Sequence, residues 1–183
     1  MPIHRLNHAV LYVSDVPKSV AFYTHVLGFR HLVANSLRTN AAFLQAPGST
    51  NDHDLAVFGI GAGTLHADQG PMRAGLYHLG WELDTLAELE AMMHRLAEAG
   101  SLLGATDHGT TKSLYARDPD GIELEVAWIV PADLIDDTVL VARLTNRALD
   151  LRREIQIYGA DTVGGVGVSR PRDPAVGGGG VRQ

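Results

Sequence analysis

Three short stretches of the sequence each carry one side chain that can bind a metal. His8 stands in LNHAVLYV, His78 in LYHLGWEL and Glu125 in GIELEV, and all three stretches have the apolar pattern of a β-strand. Two imidazoles and one carboxylate suit a divalent iron that keeps coordination positions open for a substrate and for oxygen. The sequence therefore predicts a metal-dependent enzyme, with these three side chains as the metal ligands.

Length and composition restrict the other classes of function. A chain of 183 residues accommodates one domain with an appendage, and its 45% hydrophobic and 20% charged residues are typical of a globular protein. A net charge of -6 without a basic stripe argues against nucleic acid as a partner, and no apolar run approaches the length of a membrane span. The chain has no cysteine, and residues 1–11 show no signal-peptide pattern. These features predict a cytoplasmic protein.

The first half of the chain predicts a strand, a helix and three further strands. An extended segment covers residues 3–13, and Gly28 ends the helix that follows it. The apolar face of this helix consists of Val16, Val20, Tyr23 and Leu27. Strands follow around Val33 and at residues 38–45 and 54–58, separated by turn residues.

The second half predicts the same order again. A strand at residues 75–83 precedes a helix that begins with a capping box of Thr85 and Glu88 and ends at Gly100. The apolar face of this helix consists of Leu86, Leu89, Met93 and Leu96. Two more strands follow, on either side of the turn DPDG, at residues 112–117 and 122–128.

The two halves are an internal duplication in which His8 and His78 occupy equivalent positions, 70 residues apart. Successive side chains of a strand point to opposite faces of its sheet. His8, His78 and Glu125 each lie opposite the apolar face of their strand. Tyr115 and His53 have the parity needed to reach the same cavity, so we expect these side chains to lie around one site.

The paired modules resemble the vicinal oxygen chelate superfamily, which includes glyoxalase I, fosfomycin-resistance enzymes, bleomycin-binding proteins and extradiol dioxygenases. The resemblance covers roughly residues 2–128. It implies an α+β fold in which two βαβββ modules, at about residues 3–59 and 75–129 of a domain spanning residues 1–130, form a half-open barrel around one metal site. It also implies metal ligands on the first strand of each module and on the last strand of the second. His8, His78 and Glu125 match these positions, and Glu123 is the alternative ligand on the last strand.

Two further segments resemble parts of type I extradiol ring-cleavage dioxygenases that supply two active-site histidines and a tyrosine. They are DHDLAVFG, with His53, and DHGTTKSLYARDPDG, with His108 and Tyr115. The resemblance implies an Fe(II) enzyme, with Mn(II) as the alternative metal, that cleaves a catechol-type aromatic diol with O₂. It also implies that Tyr115 and His108 hydrogen-bond the substrate oxygen and that His53 acts on the oxygen side.

Other interpretations of the same residues stay open. The ligand triad also suits a metal-dependent thiol transferase of the fosfomycin-resistance type, and a third alternative is a non-catalytic small-molecule-binding protein of the same fold. His53 can also simply stand where a strand begins, His108 can belong to an Asp-Gly turn, and Tyr115 can simply pack in the barrel. The histidines that match no motif are predicted to be structural, and these are His4, His25, His31, His66 and His94.

The last third of the chain predicts an appendage. Residues 131–160 form a helical extension that starts near Pro131 and Asp133, and its apolar stripe consists of Leu140, Leu144, Leu151 and Ile155. This stripe would pack on the barrel, cover its open side or form a subunit interface. Residues 161–183 have the composition of a Gly-rich flexible tail. Because single-domain members of the superfamily commonly dimerise, we expect a homodimer or a larger symmetric assembly.

Overall fold

The structure is a computed structural model that describes residues 3, 5–32, 40–69 and 74–166. The predicted strand around Val33 and residues 38–39 of the next predicted strand lie outside the described residues, as do His4 and residues 167–183 of the predicted tail. Among the helices that the structure describes, none has the length and apolar character needed to pass through a bilayer.

The first half of the chain forms a helix and a four-stranded sheet. Its elements are β1 (Ala9–Val13), α1 (Val16–His25), β2 (Arg30–His31), β3 (Ala41–Gln45) and β4 (Leu55–Gly59). The strands lie in the order β1-β4-β3-β2. β1 runs parallel to β4, with Ala9 beside Leu55, and β3 is antiparallel to both β4 and β2.

β1 is shorter than the sequence predicts. The prediction of a strand from residue 3 is wrong for the described residues before Ala9, because the parallel partner β4 begins only at Leu55 and leaves them no strand to pair with. His8 therefore stands immediately before β1. The predicted alternation of faces is confirmed inside the strand, where Leu11 and Val13 are buried and Val10 and Tyr12 are exposed.

α1 begins after its N-cap Asp15 and ends at His25, three residues before Gly28, which the sequence predicts as its stop. The Asp15 side chain accepts a hydrogen bond of 3.0 Å from the Lys18 backbone N–H, which satisfies one of the unpaired donors of the first turn. Gly28 follows the helix with a φ of 83°, in the left-handed region that only glycine adopts without strain. Tyr23 and Leu27 of the predicted apolar face are buried in the core.

The second half repeats this topology. Its elements are β5 (His78–Glu82), α2 (Leu86–Glu98), β6 (Leu102–Asp107), β7 (Thr111–Arg117) and β8 (Glu123–Ile129). The strands lie in the order β5-β8-β7-β6, which is the order of the first sheet. The predicted α+β fold with two βαβββ modules is therefore confirmed, and both sheets are open. β6 was not predicted, because its sequence LLGATD contains a glycine and lacks a clear alternation.

The capping box of α2 is also present. The Thr85 hydroxyl accepts from the Glu88 N–H at 3.2 Å, and the Glu88 carboxylate accepts from the Thr85 N–H at 3.1 Å. The buried residues of this helix are Leu86, Leu89, Met92 and Leu96. The sequence pattern predicted Met93 on the buried face of this helix. In the structure Met92 is buried instead, and Met93 is half-buried.

The turn between β7 and β8 is held by its own carboxylates. Asp118 Oδ1 accepts from the N–H groups of Asp120 and Ile122, and the buried Tyr23 hydroxyl donates to Asp118 Oδ2 at 3.1 Å. Asp120 accepts from the Ser14 N–H at the start of α1. Burial raises the pKa of Asp118, although its backbone hydrogen bonds oppose this shift. The prediction of turn residues is confirmed, and the structure adds their contacts with α1.

The C-terminal extension consists of short elements. A 3-10 turn at Ala132–Leu134 is followed by α3 (Asp137–Ala142), β9 (Arg147–Ala148) and α4 (Leu151–Tyr158). β9 adds to the free edge of β6. The predicted single apolar stripe is wrong, because β9 interrupts the helical repeat and leaves Leu144 exposed before α4 begins. Of the predicted tail, residues 161–166 are described, and Gly164 is buried beside Trp128.

The contacts of the chain divide it into two compact units. The first unit comprises Met1–Leu79, His94–Leu102 and Ala116–Leu124, and the second comprises Gly80–Met93, Leu103–Tyr115 and Glu125–Gln183.

Candidate functional site

His8 and His53 lie side by side in the first unit. Their ring centroids are 4.6 Å apart, and the ring of Phe43 packs edge-on against His53 at 5.0 Å. They meet because β1 and β4 are parallel neighbours, and each histidine stands just before its strand. His53 is largely enclosed, with 17% of its side chain exposed, whereas His8 is exposed. The two side chains therefore meet in the first unit, and their roles at a common site stay a prediction.

Each of these two rings has an oxygen at its Nδ1 atom. Asn7 Oδ1 lies 2.8 Å from His8 Nδ1, and Asp52 Oδ2 lies 3.0 Å from His53 Nδ1. An amide oxygen and an ionised carboxylate only accept hydrogen bonds, so Nδ1 is the donor in both rings. Nε2 of a neutral ring then carries the lone pair, which is the atom that can bind a metal or accept a proton.

A hydrogen-bonded loop holds the backbone at both histidines. The buried Asp54 carboxylate accepts from the Ala46 N–H, the Ser49 hydroxyl and the Asn51 side chain, at 2.8, 2.7 and 2.7 Å. The Asn51 amide also donates to the Asn7 carbonyl at 2.9 Å. This network connects the segment before β1 to the segment before β4, and it therefore fixes where the two rings emerge.

His78 belongs to the same unit and is the first residue of β5. Its ring is half-buried, and the Tyr77 ring lies 4.8 Å away at a tilt of 55°. His78 thus begins the first strand of the second module, just as His8 immediately precedes the first strand of the first module. The equivalence of the two histidines that the duplication predicts is present in the fold.

His108 and Tyr115 form a hydrogen-bonded pair in the second unit. The Tyr115 hydroxyl lies 2.9 Å from His108 Nε2, and Asn146 Oδ1 lies 2.9 Å from His108 Nδ1. When the amide oxygen accepts from Nδ1–H, Nε2 of the neutral ring accepts a hydrogen bond from the Tyr115 hydroxyl. A proton on Tyr115 can therefore pass to His108, which is the behaviour expected of an acid–base pair.

Glu125 is placed on the same face of the second sheet. The Ser113 hydroxyl on β7 donates to Glu125 Oε1 on β8 at 2.5 Å. Ser113 and Tyr115 are two residues apart on β7, so they point to the same face. The second unit thus has Glu125 and Tyr115 on one face, as their strand parity predicts, and His108 is hydrogen-bonded to Tyr115.

The predicted metal ligands are distributed over both units, with His8 and His78 in the first and Glu125 in the second. Among the residues that the structure describes, no group of three or more His, Asp or Glu side chains lies close enough together to hold a metal ion. The chemistry of the donors nevertheless fits Fe(II), since His8 presents an Nε2 lone pair and Ser113 orients the Glu125 carboxylate. The assignment of these three ligands stays a prediction.

A buried ion-pair cluster lies beneath the His108 turn. The Lys112 ammonium contacts the Asp107 carboxylate at 2.6 Å and the Glu154 carboxylate at 2.8 Å, and Arg147 reaches Asp107 at 3.2 Å. Burial by itself raises the pKa of Asp107. The hydrogen bonds from Lys112 and from the Gly109 N–H, together with the two cations, outweigh burial and lower this pKa below its ordinary value.

Sequence reasoning missed the residues that orient the predicted histidines. Asn7 stands next to His8 inside the quoted motif, and an amide beside a candidate ligand is a signal that could have been used. Asn146 lies 38 residues from His108 in a segment without any recognised motif, so no local pattern indicated it. Lys112 was assigned only to a strand, because nothing in the sequence shows that its side chain is buried.

Comparisons with known proteins agree on one protein family. The model of the Glyoxalase/Bleomycin resistance protein/Dioxygenase superfamily matches residues 5–126. A crystal structure of a glyoxylase/bleomycin resistance protein/dioxygenase domain from Frankia sp. has a TM-score of 0.58 and 25% identity, and the match covers 69% of this chain and 98% of that domain.

Similar curated proteins include both dioxygenases and a transferase. Biphenyl-2,3-diol 1,2-dioxygenase 3 of Rhodococcus globerulus is 33% identical over 125 residues, covering 67% of this chain and 63% of that protein. Catechol-2,3-dioxygenase of Bacillus subtilis is 32% identical over 123 residues, covering 66% and 40%. Metallothiol transferase FosB of Shouchella clausii is 31% identical over 134 residues, covering 68% and 80%.

This chain therefore spans less than two thirds of the length of either dioxygenase. The matched segment contains every predicted site residue and both βαβββ modules except the last three residues of β8, whereas the C-terminal extension lies beyond the family model. The family match, the duplicated topology and the similarity to a solved domain agree with one another, and the chain belongs to the Glyoxalase/Bleomycin resistance protein/Dioxygenase superfamily.

Proposed function

We propose that the protein is a non-haem Fe(II)-dependent extradiol dioxygenase that cleaves the ring of a catechol-type aromatic diol with O₂. The observation that carries the proposal is the hydrogen bond of 2.9 Å between the Tyr115 hydroxyl and His108 Nε2. Both residues were predicted from one dioxygenase-like segment, and ring cleavage needs a group that accepts a proton from the diol. A tyrosine paired with a neutral histidine has this capacity.

The proton path runs through this pair. A hydroxyl of the bound diol donates to the Tyr115 oxygen, and the Tyr115 proton moves to His108 Nε2. The diol thereby becomes a better electron donor, while the proton stays within the site for a later step. Glu125, a proposed iron ligand, lies on the same sheet face as Tyr115, which supports a role for Tyr115 beside the diol oxygens.

His8, His78 and Glu125 are the proposed ligands of the iron, with Mn(II) as the alternative metal. When bound, the metal would hold both diol oxygens and O₂ and would relay electron density between them. Asn7 keeps the lone pair of His8 on Nε2, and Ser113 fixes one oxygen of Glu125. Both hydrogen bonds orient the ligands, and the one that His8 donates to Asn7 also raises the basicity of the ring.

His53 is the proposed proton donor on the oxygen side. Its ring lies beside that of His8, so a proton on His53 would lie close to a proposed metal ligand. Asp52 accepts a hydrogen bond from His53 Nδ1. It thereby stabilises the ring while Nε2 delivers its proton and regains one. Phe43 encloses one side of the ring and limits the access of water.

The relatives support a small aromatic diol as the substrate, since two of them are named as dioxygenases of biphenyl-2,3-diol and of catechol. The assembly we propose is a homodimer or a larger symmetric oligomer, which light scattering of the purified protein tests directly. The predicted cytoplasmic location belongs to the same proposal.

A thiol transferase of the fosfomycin-resistance type is the second candidate. The chain covers 80% of the metallothiol transferase FosB, a larger share than it covers of either dioxygenase. The Tyr115–His108 pair is proposed to take a proton from a diol, and thiol transfer to fosfomycin involves no diol. Tyr115→Phe should therefore leave thiol transfer unchanged but abolish ring cleavage. This variant separates the two functions.

The test is oxygen consumption by the anaerobically Fe(II)-loaded protein with a panel of catechols and dihydroxybiphenyls. We expect uptake of one O₂ per diol together with the absorbance of a ring-cleaved product, and loss of both in Tyr115→Phe. Parallel assays follow the consumption of thiol in the presence of fosfomycin. Bound iron without oxygen uptake on any diol would reject the dioxygenase, and thiol consumption would then favour the transferase.

A further inference from the structure

Asn146 lies outside the segment that defines the family yet contacts a proposed catalytic residue. The family model ends at residue 126, and Asn146 belongs to the C-terminal extension. Its Oδ1 atom lies 2.9 Å from His108 Nδ1, on the opposite side of the imidazole from the Tyr115 hydroxyl. The extension therefore supplies one of the two hydrogen bonds of the His108 ring.

The position of Asn146 follows from strand pairing. β9 is antiparallel to β6, with Ala148 beside Thr106 and Arg147 beside Asp107. Continuing this register by one residue places Asn146 beside His108. A two-residue strand is short, but the Arg147 guanidinium also contacts the Asp107 carboxylate at 3.2 Å. The same carboxylate is held by Lys112, so the pairing is supported by side chains as well as by the backbone.

The end of α3 packs closely against the His108 turn. Gly109 has a φ of 79°, and a Cβ atom built on it would lie 2.6 Å from the Arg143 nitrogen and 2.8 Å from the Val139 carbonyl oxygen. Both distances are far below van der Waals contact, and the positive φ strains any residue that has a Cβ atom. Position 109 therefore requires glycine. The extension and the His108 turn thus form one packed region in the second unit.

The hydrogen bond has a chemical consequence for His108. With Asn146 as the acceptor, the ring proton is held on Nδ1, and Nε2 can accept the Tyr115 proton. In the other neutral tautomer, Nε2 carries the proton and becomes a donor, so it cannot take the proton from Tyr115. The direction of proton transfer therefore depends on which ring nitrogen is protonated.

We propose that Asn146 is a positioning residue that selects the Nδ1–H tautomer of His108 and thereby prepares the Tyr115–His108 pair to accept a proton from substrate. The C-terminal extension is then part of the active unit and not only a cover for the sheet. The catalytic consequence rests on the proposed function, whereas the selection of the tautomer does not.

The tautomer is measured by long-range ¹H–¹⁵N NMR of the full-length metal-free protein at a pH where His108 is neutral, with His108 assigned from a His108→Gln variant. We expect Nδ1–H in the wild type, a shift towards Nε2–H in Asn146→Ala, and retention of Nδ1–H in Asn146→Asp, which keeps an acceptor oxygen. Thr145→Ala is the neighbouring control and should match the wild type. The same tautomer in the wild type and in Asn146→Ala would overturn the proposal.

Kinetics of the Fe(II)-loaded enzyme give the second measurement. We expect Asn146→Ala to lower kcat for a catechol by about tenfold with little change in KM, a factor close to the loss of one neutral hydrogen bond. Asn146→Asp should recover most of this loss. An unchanged kcat in Asn146→Ala would also count against the proposal. If the wild type cleaves no diol but Asn146→Ala shows the tautomer shift, the proposed function is rejected. The positioning role of Asn146 then stays supported.

Discussion

Replacing Lys112 by Met should strongly destabilise the second unit. The ammonium is the only cation within 3 Å of two buried carboxylates among the contacts of the described residues, at 2.6 Å from Asp107 and 2.8 Å from Glu154. The three side chains are 3%, 6% and 5% exposed. Met has nearly the same length but no charge, so the substitution leaves two carboxylates buried next to each other.

The expected size of the effect follows from this environment. Removing one partner of a buried ion pair costs about 3–5 kcal/mol, because the remaining charge keeps its desolvation penalty. Asp107 retains the Gly109 N–H and the Arg147 guanidinium, which places the loss near the lower end, at about 3 kcal/mol. With a urea dependence of roughly 2 kcal/mol per molar, the unfolding midpoint should fall by about 1.5 M.

Equilibrium unfolding in urea, followed by circular dichroism and by tryptophan fluorescence, measures this change. The chain offers a matched control, since Lys18 is its one other lysine and lies exposed on α1. Lys18→Met should change stability by less than about 0.5 kcal/mol. A combined Lys112→Met and Glu154→Gln variant should recover part of the loss, because it removes one of the uncompensated charges. Equal stabilities of Lys112→Met and Lys18→Met would refute the reasoning.

Three further outcomes follow from the structure. His78→Ala should lose iron, whereas His53→Ala should keep iron and lose turnover. Metal analysis of both variants, together with an oxygen-electrode assay, checks this. Full activity of His53→Ala would remove the proposed role of His53. The lowered pKa of Asp107 means that its contribution to stability is present above its ordinary value near 3.8 and is lost as the pH falls through the lower folded value. Urea unfolding from pH 5 to pH 2.5 should show this loss, and Asp107→Asn should flatten it. Gly109→Ala should destabilise the protein by more than about 1 kcal/mol through overpacking and a strained φ, and an unchanged melting temperature would contradict the close packing of α3.

The site was predicted best where the signal was local. The phase of β7 and β8 placed Tyr115 and Glu125 on one face, since strand parity depends on the strand alone. The capping box of α2 and the turn at residues 118–121 were predicted for the same reason. The prediction failed for β6 and for the start of β1, because whether a marginal segment is a strand depends on a partner elsewhere in the chain.

The sequence by itself determined the duplicated βαβββ order, the α+β fold and the types of side chain that can act as ligands or proton carriers. These properties are periodic or local, so they can be recognised without knowing which residues meet. Only the tertiary structure decided that Asn146 accepts from His108 and that Lys112 is buried between two carboxylates. Both contacts require β9 and α4 to return to the second sheet, and they join residues 38 and 42 positions apart. That return follows from strand pairing and burial across the fold, which no spacing within either segment encodes.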